Sequence, residues 1–270
     1  MKHSIRIYLA SLMAVMAISL VSCNDDDNTM EPVGATHGEL TLEYDNVVGN
    51  RDLALDTDTY TNAANEPFTV STFNYYVSNI KFYKADGSSY VVPQDSSYFL
   101  IRESDPSSQE ITFKNVPVGD YTAVEFMVGV DSLRSVSDVS KRIGVLDPAY
   151  SEVMYWAWNS GYIFMKLEGE SDVIDTPNGK YNFHIGLFGG YETKTLNNLK
   201  TVKVDFGEHK ASVTGELSPQ IHLLTDVEKI FSGSTTVSLA ATPVVMTSDY
   251  SKNIAANYTS MFSLDHIHAD

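Results

Sequence analysis

Apolar and polar residues alternate with a period of two along much of the chain. Leu40, Leu42 and Tyr44 have polar neighbours, and the same spacing recurs at residues 124–130 and 202–206. This period places apolar side chains on one face of a β-strand. Further β-rich runs lie at residues 68–83, 98–102, 111–116, 161–167, 181–187 and 237–240. The pattern predicts about nine or ten short strands.

Turn-forming residues separate these runs, as at Asp86-Gly87 and Asn178-Gly179. Helical periodicity is confined to short stretches within residues 131–145, 225–231 and 248–262. Many short strands joined by turns are typical of sandwiches and open barrels. We therefore expect an all-β fold, an antiparallel β-sandwich of immunoglobulin-like or jelly-roll-like type with a few short helices.

The N-terminus has the features of a secretory signal peptide. Lys2 and Arg6 precede the mostly apolar residues 7–21. That stretch is short for a membrane-spanning helix, which needs about 20 apolar residues. It ends in Leu20-Val21-Ser22-Cys23, which resembles a bacterial lipobox. Cys23 carries the only thiol in the chain and is the predicted site of lipidation.

This interpretation divides the chain into three parts: a lipoprotein signal peptide at 1–22, an acylated acidic tether at 23–37 and one domain at 38–270. The acidic residues after Cys23 resemble the export signal of Bacteroidetes surface lipoproteins. We expect an outer-membrane lipoprotein, held to the membrane by its lipid, that faces either the periplasm or the cell surface.

The charge and the motif content exclude several functions. The chain has 18 basic and 35 acidic residues and a net charge of -17. Nucleic-acid binding needs a basic surface, so we expect no nucleic-acid partner. One cysteine rules out an internal disulfide and a Cys-rich zinc site. The sequence also lacks Gly-x-Ser-x-Gly, His-Glu-x-x-His and a phosphate-binding glycine loop, and we predict a protein that is not an enzyme.

Histidines provide the candidate metal ligands. His266 and His268 lie two apart, so in an extended segment they face the same way and can bind one metal ion. Two solvated histidines in a terminal tail would give the same spacing. His222 alternates with apolar neighbours, and His184 lies in a predicted strand, where a histidine is more often structural than a ligand.

An aromatic block at residues 154–164 contains Trp156 and Trp158, the two tryptophans of the chain. In a strand they would share a face. They could simply be core residues, or they could form a platform on which a sugar ring stacks. The pattern alone does not choose between these interpretations.

The block and its surroundings resemble the MbnP-like copper-binding family. The matching residues are Met154 to Gly169 and Phe183-His184-Ile185-Gly186, with weaker matches at Tyr75 to Ile80 and Val116 to Tyr121. The resemblance implies an exported β-sandwich that handles copper, with His184 as a ligand. It also implies that a di-haem peroxidase-like partner of the MbnH type oxidises Trp156 or Trp158 to kynurenine. Family members often carry a cysteine-containing stretch after this histidine, which is absent here.

Taken together, the sequence predicts a lipid-anchored extracytoplasmic copper-binding protein that captures or buffers copper for a partner. The candidate ligands are His184, His222, His266 and His268. The negative charge attracts cations without distinguishing copper from calcium, so that choice depends on the resemblance. A TonB-type transporter is a second candidate partner. The alternative function is a cell-surface glycan- or protein-binding lipoprotein with an aromatic platform.

Overall fold

The computed structural model describes residues 35–149, 152–157 and 161–269. The predicted signal peptide, Cys23, most of the tether and Trp158 lie outside the described residues. Within the described ranges, no helix is long and apolar enough to cross a membrane.

The described chain is built mainly of short strands. The strands are β1 (His37–Val48), β2 (Arg51–Asp52), β3 (Tyr60–Thr61), β4 (Pro67–Phe68), β5 (Thr72–Lys84), β6 (Ser89–Val91), β7 (Tyr98–Arg102), β8 (Glu110–Pro117), β9 (Gly119–Val128), β10 (Tyr155–Trp156), β11 (Gly161–Glu170), β12 (Lys180–Gly186), β13 (Lys200–Asp205), β14 (Ala211–Val213), β15 (Gln220–Asp226), β16 (Val244–Val245) and β17 (Phe262–His268). The α-helices are α1 (Ser132–Ser135), α2 (Glu228–Phe231) and α3 (Ser251–Asn257). Short 3₁₀ turns lie at Gln94–Ser96, Pro106–Ser108, Val139–Lys141, Gly144–Leu146, Glu152–Met154 and Tyr258–Ser260.

The strands form two main sheets. The smaller has the order β17-β15-β1-β2, with β8 also paired to β1. The larger has the order β13-β9-β5-β11-β12-β16, and short strands extend it from β5, β9 and β11. Most pairs are antiparallel, but β1 pairs in parallel with β15 and β12 with β16. The predicted all-β sandwich is confirmed, with these two parallel pairs as an unforeseen detail.

The main core lies between the two sheets. Tyr44 of β1 packs edge-on against Phe126 of β9 at 5.9 Å between ring centroids. Phe126 in turn packs against Phe262 of β17 at 4.9 Å. A second apolar cluster, which includes Tyr76 and Phe164, covers the opposite face of the larger sheet. Adjacent residues of β5, Tyr75 and Tyr76, divide between the two clusters because strand side chains alternate.

Most predicted strands agree with the structure, and one does not. Residues 98–102 are β7, and residues 111–116 lie within β8. Residues 237–240 were expected to form a strand but end in a turn. There the backbone N–H groups of Leu239 and Ala240 donate to the Glu66 carboxylate instead of to a neighbouring strand.

Glu66 therefore fixes a distant loop to the turn before β4. Its carboxylate also accepts hydrogen bonds from Ser238 Oγ at 2.7 Å and Asn62 Nδ2 at 2.8 Å. Burial alone would raise the pKa of Glu66, but these hydrogen bonds lower it below its usual range. Because the folded-state pKa is depressed, the ionised group stabilises the fold at neutral pH, and this contribution is lost as the pH falls through that pKa.

We expect Glu66→Gln to lower the free energy of unfolding at pH 7 by about 1–3 kcal/mol, since a neutral amide satisfies fewer of these donors. The difference from the wild type should begin to shrink as the pH falls below the ordinary pKa of glutamate, because the unfolded wild-type chain then takes up a proton that the folded carboxylate, with its lowered pKa, does not yet accept. Urea unfolding of both proteins at pH 7 and pH 4 measures this. Exposed Glu216→Gln is the control, and an equal loss in that variant at pH 7 would contradict the account.

Candidate metal centre

Alternation along two neighbouring strands places polar side chains on the outer face of the smaller sheet. In β1, Leu42 and Tyr44 are fully buried, so Glu43 and Asp45 point to the opposite face. In β15, Ile221 and Leu223 are fully buried, which directs His222 outward as well. The parallel register pairs Glu43 with His222 directly. On this face, the carboxylate of Glu43 and the imidazole of His222 therefore lie side by side on neighbouring strands.

A β-bulge in β17 adds two more histidines to that face. The antiparallel register pairs His222 with His266 but Leu223 with Leu264, so Asp265 is the extra residue. Before the bulge Leu264 packs against the core, and after it Ile267 does. The extra residue therefore reverses the alternation, so that side chains which would have faced the core after the bulge face outward instead. Without it, His266 and His268 would continue on the side of Leu264.

The three histidine rings lie together. His222 stacks on His266 with ring centroids 4.2 Å apart and planes inclined by 17°. His268 stands edge-on to both, at 5.0 Å from His222 and 4.5 Å from His266. The Nε2 atoms of His266 and His268 are 2.9 Å apart. One nitrogen from each of the three rings falls within a set whose atoms all lie within 4.8 Å of one another.

This spacing fits a metal ion. A metal bound to imidazole at about 2.0–2.1 Å in tetrahedral geometry holds its nitrogens about 3.3 Å apart. To bind one ion, the stacked rings of His222 and His266 would also have to turn so that their nitrogen lone pairs converge, because their planes are inclined by only 17°. Nε2 of His222 is buried and makes no hydrogen bond in the described part of the chain. A buried ring nitrogen of this kind is costly unless it has a partner, and a metal ion would supply one.

The three histidines of the cluster differ in how much of each side chain is exposed to solvent. The His222 side chain is 13% exposed, whereas that of His266 is 45% exposed. His268 is exposed at the end of β17. An ion held here would have one well-enclosed ligand and two that solvent or another protein can reach.

Carboxylates surround the enclosed side of His222. Nδ1 of His222 lies 3.3 Å from Asp45 Oδ2, and Nε2 lies 3.3 Å from Glu43 Oε2. Gln220 Nε2 donates to Glu43 at 2.5 Å. Burial raises the pKa of Glu43, and the charges of Asp45 and Glu110 raise it further, against the lowering effect of His222. The outer face of the smaller sheet is therefore a crowded acidic surface beside three imidazoles.

His184 lies on the larger sheet, apart from this cluster. Its Nε2 is 2.6 Å from Glu168 Oε1, and Lys166 Nζ is 3.4 Å from the same oxygen. Burial lowers the pKa of His184, and the charge of Lys166 adds to this, while Glu168 opposes it. Of the four predicted ligands, the structure brings together His222, His266 and His268, and pairs His184 with a carboxylate.

Trp156 lies on the same face of the larger sheet as His184. It is partly buried against the second apolar cluster. A Cβ atom added to Gly186, two residues after His184, would lie 2.9 Å from Trp156 Cζ3. The tryptophan thus packs over β12 at a position where only glycine leaves it room. Trp158 lies outside the described residues, so the expected shared face of the two rings stays a prediction.

Comparison with known proteins identifies the family. The MbnP family model matches residues 37–247. The chain belongs to the MbnP family. The structure of MbnP from Methylosinus trichosporium matches with a TM-score of 0.50 and 13% sequence identity, and the match covers 75% of this chain and 83% of that chain. At this identity the likeness shows the fold alone. No curated protein matches the chain.

The family match covers some of the candidate site residues and not others. It includes Trp156, Trp158, His184 and His222, whereas His266 and His268 lie beyond its last residue. The C-terminal pair is therefore a feature of this chain outside the matched region. Glu43 and Asp45 were not among the predicted site residues, because the only feature that marks them in the sequence is their place on the polar side of an alternating strand.

Proposed function

We propose that this MbnP-family protein is a lipid-anchored extracytoplasmic protein that binds copper and captures or buffers it for a partner, without catalysing a reaction. Family membership supports a methanobactin-associated, copper-related role. The observation that carries the proposal is the cluster of His222, His266 and His268. We assign the copper to this cluster.

The chemistry of the cluster suits copper. Imidazole nitrogen binds copper in both of its common oxidation states, and Cu(II) accepts additional oxygen donors. The negative charge of the protein raises the local concentration of cations. Because His266 and His268 are accessible, copper could be exchanged with solution or with another protein, as a buffering role requires.

The test of this function is a copper titration that compares the wild type with His184→Ala. We expect both to bind copper with the same stoichiometry and with affinities within about threefold, since His184 lies on the other sheet and pairs with Glu168. Equilibrium dialysis with metal analysis gives both quantities, and exposed His209→Ala is the matched control. Loss of copper in His184→Ala alone would move the site to the larger sheet.

The lipid anchor is proposed from the lipobox-like sequence at Cys23. We expect Cys23→Ser to lose the covalently attached lipid, because a serine hydroxyl does not replace the thiol that accepts the diacylglycerol. Metabolic labelling of the expressing cells with a tagged fatty acid measures this directly, since an uncleaved signal peptide would keep the variant in the membrane fraction. Absence of label from the wild type, or equal label in both proteins, would contradict the anchor.

Two partners are proposed for this protein. A di-haem peroxidase-like protein of the MbnH type would act on a tryptophan, and Trp156 is the candidate among the described residues. A TonB-type transporter would accept or deliver copper at the outer membrane. Trp156 is partly buried, packed against the second apolar cluster.

A specific observation favours the alternative function of ligand binding. An open cleft of about 1120 Å³ is lined by Tyr98, Asp131, Arg134 and neighbouring residues. Leu133 and Ile143, which also line it, are 83% and 72% exposed. A glycan would use the polar groups of this cleft, in which the Arg134 guanidinium lies over the Tyr98 ring, 4.9 Å from its centroid. Sugar-dependent changes in tyrosine or tryptophan fluorescence, with no response to copper, would favour this function.

A further inference from the structure

His222 belongs to two groups of metal-binding side chains. One is the three-histidine cluster, and the other consists of His222, Glu43 and Asp45. Within each group the ligand atoms all lie within 4.8 Å of one another. The two groups share His222 alone. A single ion at either position would therefore leave the other group without a cation.

The two nitrogens of His222 differ in their surroundings. Nδ1 lies within hydrogen-bonding distance of Asp45 Oδ2, at 3.3 Å. Nε2 is buried and makes no hydrogen bond, although Glu43 Oε2 is 3.3 Å away. The lone pairs of the two nitrogens point away from each other across the ring. An imidazole can thus serve one ion through each nitrogen.

We propose that Glu43, Asp45 and His222 hold a second divalent metal ion, zinc, with the His222 ring bridging the two ions as an imidazolate whose remaining N–H proton is released to solvent when the second ion binds. The proposal rests on the proposed copper site, because His222 belongs to both. Nδ1, which lies 3.3 Å from Asp45 Oδ2, serves the ion at the carboxylates, and Nε2 serves the ion at His266 and His268. Glu43, whose Oε2 lies 3.3 Å from Nε2, turns towards Asp45 to complete the first set.

The charges favour this assignment. Glu43 and Asp45 are adjacent on one face of β1, and Glu110 of β8 pairs directly with Glu43. Three carboxylates at close range repel one another, and a divalent cation removes that repulsion. The group supplies one nitrogen and two carboxylates, a donor set that suits zinc. Calcium takes six to eight oxygen ligands and is a poor match.

The experiment counts zinc ions bound by the full-length chain. The protein is dialysed against buffered free zinc, and bound metal is measured by elemental analysis. We expect two zinc ions in the wild type, one in Glu43→Gln and in Asp45→Asn, one in His266→Ala and in His268→Ala, and none in His222→Gln. His209→Ala should retain two. Circular dichroism verifies that each variant is folded.

The outcomes separate this proposal from the proposed function. One zinc ion in the wild type, or two in Glu43→Gln and Asp45→Asn, would overturn the second site. Binding of Cu(I), which prefers soft and imidazole donors to carboxylates, should stay at the wild-type stoichiometry in those two carboxylate variants. If they lost Cu(I) together with zinc, the carboxylates would belong to a single site, which also overturns the proposal. Unchanged copper binding in His266→Ala and His268→Ala would instead count against the copper site.

Discussion

Replacing His266 and His268 together by alanine is expected to weaken copper binding at least about 100-fold. These residues supply two of the three nitrogens in the cluster. Removing groups that merely support a metal ligand commonly costs 10–100-fold in affinity, so the loss of two direct ligands should cost at least the upper end of that range. A factor of 100 corresponds to about 2.7 kcal/mol. Competition titration with a copper chelator measures the change.

The matched control removes two other histidines. His37 and His209 are both exposed, so the double variant His37→Ala/His209→Ala changes the histidine content equally without touching the cluster. We expect its copper affinity to equal that of the wild type. Similar affinities in the two double variants would show that the cluster does not hold copper.

Truncation of Phe126 to alanine is expected to lower the free energy of unfolding by about 3–5 kcal/mol. Phe126 is fully buried and contacts Tyr44 and Phe262 of the smaller sheet. Its side chain therefore forms part of the core between the two sheets. Removing a buried Phe ring costs its transfer energy and leaves a cavity. For a domain of this size we expect the melting temperature to fall by about 6–20 °C.

Thermal and urea unfolding measure this change. The control is Leu133→Ala, whose side chain is 83% exposed and whose loss should change stability by less than about 0.5 kcal/mol. A change below about 1 kcal/mol for Phe126→Ala would contradict the assignment of the core between the sheets.

Local pattern was sufficient to predict the strands but not their partners. The alternation of Leu40, Leu42 and Tyr44 predicts β1 and its buried face, because side-chain direction depends only on neighbouring residues. The parallel pairing of β1 with β15 joins Glu43 to His222, far apart along the chain. Hydrophobic periodicity carries no information about such pairings. Glu43 and Asp45 could therefore be recognised as polar, but not as neighbours of a histidine.

The bulge in β17 shows a second limit of the sequence. A period of two correctly implies that His266 and His268 share a face. The same period, continued from Phe262 and Leu264, would direct them into the core. The extra residue Asp265 reverses this, and its position depends on the packing of Leu264 and Ile267 against the other sheet. Only the assembled sheets fix which side the histidines occupy.

The family resemblance directed attention to a different part of the molecule. It rests on the aromatic block and on His184, which lie together on the larger sheet. The cluster of His222, His266 and His268 lies on the smaller sheet and extends past the matched region. The resemblance therefore gave the fold correctly, while the grouping of the three histidines emerged from the strand register.

The most direct test of the copper assignment is a crystal structure of the copper-loaded protein with anomalous diffraction measured at the copper absorption edge. We predict an anomalous peak about 2 Å from one ring nitrogen of each of His222, His266 and His268, the usual metal–imidazole distance. A copper peak beside His184 and Trp156, with none at the three histidines, would contradict this account.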